Sequence, residues 1–327
     1  RSLTPVIVID GQTSSLAVVR SLGRRGVPVI VAEYDPGVFA GASRYAQERL
    51  TVPDPVASEA QFVQALRECA GRWGGALLMP CSDPALVGVA RNKPELARDF
   101  IVGCEGWEVV RKVVEKRHTY EIAASIGVPA PRTVYPRSMD DVARFAEVAM
   151  FPCVVKPDQG HLFQARFGRK MFSAADAAEL KAMYQRAADA GLEVVLQEFI
   201  PGADTTGSYF NSYRAGSRQL ASFTAAKVRN APAYYGSPRV VVSRRVPGLE
   251  GPTQRLLDAL GLEGFSCTEY KRDPRDGVHK LMEVNARPNL STWLAVRSGV
   301  DFPWLQYRHL VMGEEPVIDS QRSGLYW

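Results

Sequence analysis

The sequence has few of the residues and patterns that mark disulfide-rich, zinc-binding or membrane proteins. Its five cysteines are Cys69, Cys81, Cys104, Cys153 and Cys267, with no C-x-x-C pair and no histidine at ligand spacing. This pattern favours reduced, mostly buried thiols in a cytoplasmic protein. No apolar run reaches the roughly 18 residues that cross a bilayer, so we expect no membrane partner.

Two common nucleotide-binding signatures are also missing. A buried strand at Pro5–Asp10, a helix ending at Gly23 and a second strand at Val27–Ala32 predict a βαβ unit of a Rossmann-like parallel sheet. The turn between them has one glycine, Gly11, where G-x-G-x-x-G requires three. No G-x-x-x-x-G-K-[ST] occurs either. An oxidoreductase is therefore only a minor alternative.

Composition and charge are those of a globular enzyme. The chain has 327 residues, of which 46% are hydrophobic and 23% charged, and its net charge is +5. This length predicts two or three packed subdomains. The mild positive charge is spread along the chain, which is compatible with an anionic ligand and does not indicate a nucleic-acid-binding surface.

Near its C-terminus the sequence carries a strand with alternating polar residues. If Lys280–Pro288 is extended, Glu283, Asn285 and Arg287 share one face with Leu281. A carboxylate, a carboxamide and a guanidinium on one face suit Mg²⁺ that carries a phosphate. The alternation alone is equally consistent with a solvated face.

The preceding segment strengthens the metal hypothesis. Phe265–Lys271 predicts a second strand, and the turn residues Asp273–Gly277 predict that the two strands form an antiparallel hairpin. In that hairpin Glu269 faces Glu283, directly or diagonally. Two carboxylates that face each other destabilise a sheet unless a cation lies between them.

Other polar positions could contact ligands. Ser82 and Asp83 follow a predicted parallel strand, where they could bind substrate, although capping of the next helix is the better-supported interpretation. Lys227 and Arg229 share one face if their segment is extended; they could neutralise a phosphate, or lie on a solvated edge. Lys156 ends a buried strand, and the basic, glycine-containing loop 158–170 after it, with His161, could close over a triphosphate.

Three stretches occur in an order and at spacings that resemble the ATP-grasp ligases. They are Pro152–Pro157 (PCVVKP), Gln197–Gly202 (QEFIPG), and Glu269 followed by Glu283–Arg287 (EVNAR). The resemblance covers essentially the whole chain. The aromatic and basic loop 158–170 departs from the glycine- and serine-rich pattern that is commoner in the family, and is closer to D-aspartate ligase-like carboxylate–amine ligases.

The resemblance implies a mixed α/β and α+β architecture with three domains. Residues 1–104 would form an N-terminal Rossmann-like domain on the substrate side. Residues 105–192 would carry the phosphate-binding lysines and loop, and residues 193–327 the adenine segment and the magnesium site. The last two domains are expected to enclose the nucleotide. The chain begins at Arg1 rather than Met, and such ligases often continue further, so we expect a trimmed sequence and consider a missing C-terminal segment.

The resemblance also implies the residues that bind the cofactors, ATP and Mg²⁺, with Mn²⁺ as an alternative metal. The phosphates would be contacted by Lys116 and Lys156, and the ribose hydroxyls by Asp204. The adenine would lie against Gln197, Glu198, Phe199 and Ile200. The metal ligands would be Glu269, Glu283 and Asn285. Arg287, with Lys227 and Arg229, would stabilise the carboxylate or its acyl phosphate.

The activity that this resemblance implies is ATP-dependent carboxylate–amine ligation. Phosphorylation by ATP turns a poor electrophile into an acyl phosphate, and an amine then displaces phosphate to form an amide or peptide bond. We expect small-molecule substrates, such as amino acids or a biosynthetic intermediate, and a monomer or homodimer. Activation of bicarbonate and a non-catalytic nucleotide-binding module are the alternatives.

Overall fold

The protein consists of two compact units. The structure is a computed structural model that describes residues 3–157, 163, 166–169, 171–232 and 236–327. Unit 1 comprises Arg1–Val128, Ala203–Tyr270 and Glu283–Trp327, and unit 2 comprises Pro129–Gly202 and Lys271–Met282. These units follow the packing within the chain; the three domains expected from the resemblance stay a prediction.

Helices occupy both units. Those of unit 1 are α1 (Thr13–Gly23), α2 (Glu59–Glu68), α3 (Ala70–Trp73), α4 (Asp83–Arg91), α5 (Lys93–Leu96), α6 (Trp107–Val114), α7 (Lys116–Ser125), α10 (Glu250–Leu260), α11 (Thr292–Arg297) and α12 (Phe302–Met312). Those of unit 2 are α8 (Met139–Val148) and α9 (Ala177–Ala188). Within the described residues, no helix combines the length and hydrophobicity that crossing a bilayer requires.

Unit 1 contains a parallel sheet with the strand order β3-β2-β1-β4-β5. Its strands are β1 (Val6–Ile9), β2 (Val29–Glu33), β3 (Glu48–Thr51), β4 (Leu77–Pro80) and β5 (Ile101–Val102). Ile7 and Ile9 pack with residues of α2 and α4, while Val6 and Val8 pack with residues of α1 and α12. Helices on both faces explain why these strands are apolar without alternation. The predicted N-terminal parallel sheet is confirmed.

A second sheet of unit 1 has the order β12-β11-β10-β13-β14. Its strands are β10 (Gly207–Ala215), β11 (Arg218–Ala231), β12 (Ser237–Ser243), β13 (Gly264–Arg272) and β14 (His279–Asn285). One face packs with α11 and α12, through Phe265 and Phe302 among others. The predicted hairpin is confirmed as β13 and β14, but β14 ends at Asn285, so Arg287 lies just beyond it.

The tip of this hairpin, Lys271–Met282, belongs to unit 2. The amide of Asp273 donates to the carbonyl of Val278, and that of Gly277 donates to the carbonyl of Asp273. Gly277 has a φ of 73°, a conformation that glycine adopts without steric cost. Asp273–Gly277 therefore form the turn that the sequence predicts between the two strands.

Unit 2 contains an antiparallel sheet with the order β6-β9-β7-β8. Its strands are β6 (Thr133–Val134), β7 (Cys153–Pro157), β8 (Phe172–Ala174) and β9 (Val194–Glu198). Val155 and Leu196 face a core that includes residues of α8 and α9. Lys156 pairs with Val195, so Lys156 and Gln197 lie diagonally on the other face.

Candidate active site

An ion pair links β11 and β13, the two strands that flank the central strand β10 of the second sheet. The Nζ atom of Lys227 lies 2.7 Å from Oε2 of Glu269, and both side chains are largely buried, at 15% and 20% exposure. The ammonium group also lies 4.9 Å from the ring centroid of Tyr209. Tyr209 on β10 was not singled out from the sequence, where it resembles an ordinary core aromatic.

The electrostatics of Lys227 show that both predicted acids act on it. Burial by itself would lower the pKa of Lys227, but the charge and hydrogen bond of Glu269 outweigh burial, with a further contribution from Glu283, and the pKa is raised. Burial, reinforced by Glu269 and Glu283, also raises the pKa of Tyr209 well above its ordinary value. The two carboxylates therefore share one electrostatic environment, as the metal hypothesis requires.

A second lysine faces the other acid. The Nζ atom of Lys116, the first residue of α7, lies 3.3 Å from Oε1 of Glu283, and this pair is more exposed, at 59% and 38%. Lys116 was predicted to bind a phosphate only from the resemblance, since a lysine at the start of a helix is normally a solvated residue. The structure brings it to the hairpin acids.

The donor set at the end of the hairpin fits Mg²⁺. Glu269 and Glu283 offer carboxylate oxygens, and Asn285, the last residue of β14, is buried with 8% exposure. The described residues contain no group of three His, Cys, Asp or Glu side chains arranged for a metal. Two carboxylates and an amide would suit Mg²⁺, which usually takes few protein ligands and completes its shell with water and phosphate oxygens.

The side chain of Arg287 is hydrogen-bonded to Asp83, which lies just past the C-terminal end of β4 in the parallel sheet. Its Nε donates to Oδ1 of Asp83 at 2.7 Å and its Nη2 to Oδ2 at 2.8 Å. Burial would lower the pKa of Arg287, but the hydrogen bonds and charge of Asp83, with the charge of Glu283, raise it. The carboxylate of Asp83 is thus committed to Arg287, whereas Ser82 accepts from the amide of Ala85 as the cap of α4, which confirms the helix-cap interpretation.

The same edge of the parallel sheet contains further polar contacts. The hydroxyls of Tyr34 and Ser82 lie 2.5 Å apart. Asp10, directly after β1, has a φ of 94° and accepts from the hydroxyl of Ser15 at 3.3 Å. Burial raises the pKa of Asp10 and raises that of Tyr34 to about 12. A left-handed conformation at a non-glycine residue costs roughly 1–3 kcal/mol and occurs preferentially at functional sites.

A buried polar network beside Arg287 escaped the sequence analysis. The amide nitrogen of the Asn289 side chain donates to Sγ of Cys267 at 3.0 Å and to Oδ1 of Asn211 at 3.4 Å. Its carbonyl oxygen accepts from the hydroxyls of Ser291 and Thr292. This network ties the segment after β14 to β10 and β13. The signal in the sequence was two residues past the motif, at Asn289.

In unit 2, Lys156 belongs to a chain of side-chain hydrogen bonds on one face of the sheet. Its Nζ donates to Oε1 of Gln197 at 2.5 Å, and Nε2 of Gln197 donates to Oγ1 of Thr133 at 2.9 Å. Lys156 and Gln197 were both predicted to bind nucleotide, and the structure brings them together. Thr133 was missed, because a lone threonine on a two-residue strand carries no pattern.

The rest of the predicted adenine segment makes contacts within unit 2. The carboxylate of Glu198 accepts from the amide of Met150 at 2.8 Å, and the amide of Phe199 donates to the carbonyl of Pro152 at 2.9 Å. The Nζ atom of Lys271 lies 4.9 Å from the ring centroid of Phe199, and Ile200 is buried. The amide of Phe199 is thus used within unit 2, and recognition of the adenine edge by the backbone around Glu198–Ile200 stays a prediction.

Two further predicted residues lie at or near the end of β11. The two carboxylate oxygens of Asp204 accept from the backbone amide of Asn230 at 2.8 Å and from its side chain at 3.1 Å. A β-bulge between Lys227 and Arg229 shifts the register. The strict alternation that would place these two cations on one face is therefore interrupted, and Arg229 is exposed. In the predicted phosphate loop, residues 158–162, including His161, and residues 164, 165 and 170 lie outside the described part of the chain.

This architecture is the ATP-grasp fold. The L-amino acid ligase from Bacillus licheniformis superposes with a TM-score of 0.71 at 18% identity, covering 95% of this chain and 74% of that one. A biotin carboxylase from Campylobacter jejuni, solved as a β,γ-ATP complex, superposes with a TM-score of 0.74 at 14% identity, covering 98% and 74%. The predicted fold class is confirmed.

Sequence comparison relates the chain to amino-acid ligases. It is 25% identical to a D-aspartate ligase from Enterococcus faecium over 76% of this chain and 62% of the relative. It is 26% identical to a D-alanine–D-alanine ligase from Pseudomonas putida over 61% of this chain and 62% of the relative. The chain thus spans less than two thirds of these relatives' length. No protein-family model matches it. The resemblance to ATP-grasp amino-acid ligases is confirmed.

Proposed function

We propose that this chain is an ATP-dependent ligase that joins the carboxylate of one small molecule to the amine of another, with amino acids as the substrate class. The observation that carries the proposal is the cluster in unit 1, where Lys227 and Lys116 face Glu269 and Glu283 beside Arg287. Relatedness to D-aspartate and D-alanine–D-alanine ligases supports the choice of carboxylate and amine substrates.

The reaction requires the chain to bind and neutralise several negative charges. Glu269, Glu283 and Asn285 would bind Mg²⁺, which neutralises phosphate charge and acts as a Lewis acid when bound. Lys116 and Lys156 would bind phosphate oxygens of ATP, and Gln197, Glu198, Phe199 and Ile200 the adenine, with Asp204 at the ribose. These assignments extend the residue contacts described above to the ligand.

Arg287 and Lys227 have charges suited to the carboxylate and to the acyl phosphate formed from it. The carboxylate oxygen attacks the γ-phosphorus of ATP and ADP leaves; the amine then attacks the acyl carbon, phosphate leaves and the amine loses a proton. Arg287 stays protonated throughout because its pKa is raised. Its guanidinium offers N–H groups in a plane that matches two oxygens of one anion. Arg229 could contribute a more distant positive charge.

The test is trapping of the activated carboxylate. Purified protein is incubated with ATP, Mg²⁺ and hydroxylamine, and with one amino acid at a time in its L and D forms; hydroxamate and ADP are measured together. The proposal expects equal amounts of both, dependent on the amino acid. ADP release with bicarbonate alone would support the carboxylase-type alternative. Absence of ADP release with every carboxylate would contradict the proposed ligase activity.

A further inference from the structure

Asp83 and Arg287 form a two-point salt bridge between residues that are 204 positions apart in the chain. Arg287 follows the hairpin that carries Glu283, whereas Asp83 is the first residue of α4, directly after the parallel strand β4. Both belong to unit 1. We propose that Asp83 is a positioning residue, which orients Arg287 so that one edge of its guanidinium binds the substrate carboxylate and the acyl phosphate formed from it. This inference rests on the proposed function.

The orientation follows from the donors that Arg287 has already used. A guanidinium has five N–H bonds in one plane, one on Nε and two on each Nη atom. Nε and Nη2 donate to Asp83, and Nη1 donates to the carbonyl of Pro288 at 3.3 Å. Asp83 therefore occupies the side edge of the guanidinium. Nη1 and Nη2 make up the end edge, and among the described residues its one hydrogen bond besides those to Asp83 is the 3.3 Å contact of Nη1 with the carbonyl of Pro288.

The end edge has the right chemistry for the substrate. Two parallel N–H groups bind a carboxylate or phosphate through two oxygens, and such paired bonds fix the direction of the anion. If the guanidinium rotated, this pair of donors would point in another direction and would no longer match the position of the substrate anion. The carboxylate of Asp83 prevents that rotation because it bonds two different nitrogen atoms.

Asp83 itself is placed by a rigid local structure. Ser82 caps α4 by accepting from the amide of Ala85, and its hydroxyl lies 2.5 Å from that of Tyr34. Pro84 follows Asp83 in the first turn of the helix, where its fixed φ favours helix initiation. Because the start of α4 is fixed in this way, the carboxylate of Asp83 can hold Arg287 in one orientation with little loss of conformational entropy.

An acid in the first turn of a helix also interacts favourably with the helix dipole, so the test must separate positioning from helix stabilisation. Glu59 provides a matched control, because it is the first residue of α2 and pairs with Arg91 at 3.1 Å. Removal of either charge affects a helix start and an arginine pair. Of these two acids, only Asp83 contacts Arg287.

The experiment is a double-mutant cycle on the whole chain, with Asp83→Asn, Arg287→Lys and the double variant, and with Asp83→Glu and Glu59→Gln alongside. For each protein kcat and KM are measured for the amino-acid carboxylate and for ATP, together with the thermal midpoint. Asp83→Asn should lower kcat/KM for the carboxylate by about 10- to 100-fold, with the KM for ATP changed less than about twofold. In the Arg287→Lys background, which cannot form the two-point pair, the same change should cost less than about threefold.

Glu59→Gln should leave kcat/KM unchanged. Asp83→Glu, which keeps the carboxylate, should retain part of the activity that Asp83→Asn loses. Unchanged kcat/KM in Asp83→Asn, or an equal loss in both backgrounds, would overturn the inference. If Asp83→Asn does not fold, Asp83→Glu takes its place in the cycle with Arg287→Lys, since the longer carboxylate shifts Arg287 without removing the charge. A loss of kcat/KM that is equal in both backgrounds would again overturn the inference. A wild-type protein that releases no ADP with any carboxylate would overturn the proposed function first, and this inference with it.

Discussion

The Nζ atom of Lys227 lies 2.7 Å from Oε2 of Glu269. Glu283 is paired in the same way with Lys116 at 3.3 Å. Each of the two acids among the proposed metal ligands is therefore paired with a lysine that is itself proposed to bind phosphate or acyl phosphate. Metal and nucleotide should bind together, because each releases the protein partner that the other needs.

Lys227→Gln should strengthen the binding of a metal ion in the absence of nucleotide. Without the ammonium group the carboxylate of Glu269 is free to bind Mn²⁺, and loss of a pair worth about 1 kcal/mol corresponds to roughly a fivefold change in affinity. Electron paramagnetic resonance of free Mn²⁺ measures this directly. The matched variant Lys181→Gln, at an exposed position on α9, should bind Mn²⁺ as the wild type does. Weaker binding in Lys227→Gln would contradict the competition between lysine and metal.

Glu283→Gln should remove turnover without unfolding the protein. The substitution keeps the shape of the side chain and removes the charge that binds the metal, so the rate should fall by at least about a hundredfold, or ~3 kcal/mol. ATP-dependent hydroxamate formation and a thermal melt are measured on the same preparation. Glu147→Gln, an exposed residue of α8, serves as the control. Full activity in Glu283→Gln would contradict the site assignment.

Lys156→Ala should raise the KM for ATP. Lys156 lies near the end of β7, and its ammonium group donates to the buried side chain of Gln197 in unit 2. Loss of a charge-assisted bond to phosphate corresponds to about 2 kcal/mol, or about 30-fold in kcat/KM for ATP. Steady-state kinetics at saturating amino acid measures this change, with Lys181→Ala as the control. An unaltered KM for ATP would contradict a role of Lys156 in nucleotide binding.

Local features of the fold could be predicted because their causes are local. The apolar runs of β1 and β4 and the turn residues Asp273–Gly277 contain their structural signal within a few positions. The acids of the hairpin could be predicted for the same reason, since strand alternation fixes their faces. The Asp83–Arg287 pair could not, because it joins side chains 204 residues apart whose meeting depends on the complete fold.

Strand irregularity limited the rest of the site prediction. Alternation places Lys227 and Arg229 on one face, but the bulge between them shifts the register. Bulges arise from tertiary context and leave little trace in the sequence. The pairing of the proposed metal ligands with lysines was also missed, since Lys116 and Glu283 come from a helix and a strand far apart in the chain.

Stability at acidic pH should depend on Asp273 in the hairpin turn. Hydrogen bonds from Arg275, more than the opposing burial, lower the pKa of this fully buried carboxyl. Because the folded pKa lies below the unfolded value of about 3.9, the pair stabilises the fold above that pH and loses its effect as the pH falls through the folded pKa.

Asp273→Asn should therefore lower the free energy of unfolding by about 1–3 kcal/mol at pH 7, and the difference from wild type should shrink below about pH 4. Urea unfolding of the whole chain, followed at pH 7, 4 and 3, measures it. Glu193→Gln, at an exposed position directly before β9, should show no such pH dependence. A difference that stays constant down to pH 3 would contradict the role of Asp273.

The position of the bound metal tests the central claim most directly. Crystals of the protein grown with ADP and Mn²⁺ would show the ion through its anomalous scattering. We predict a peak about 2.1 Å from carboxylate oxygens of Glu269 and Glu283 and from the side-chain oxygen of Asn285, with Lys227 withdrawn from Glu269. A manganese peak remote from these three residues, with the Lys227–Glu269 pair intact, would contradict the account.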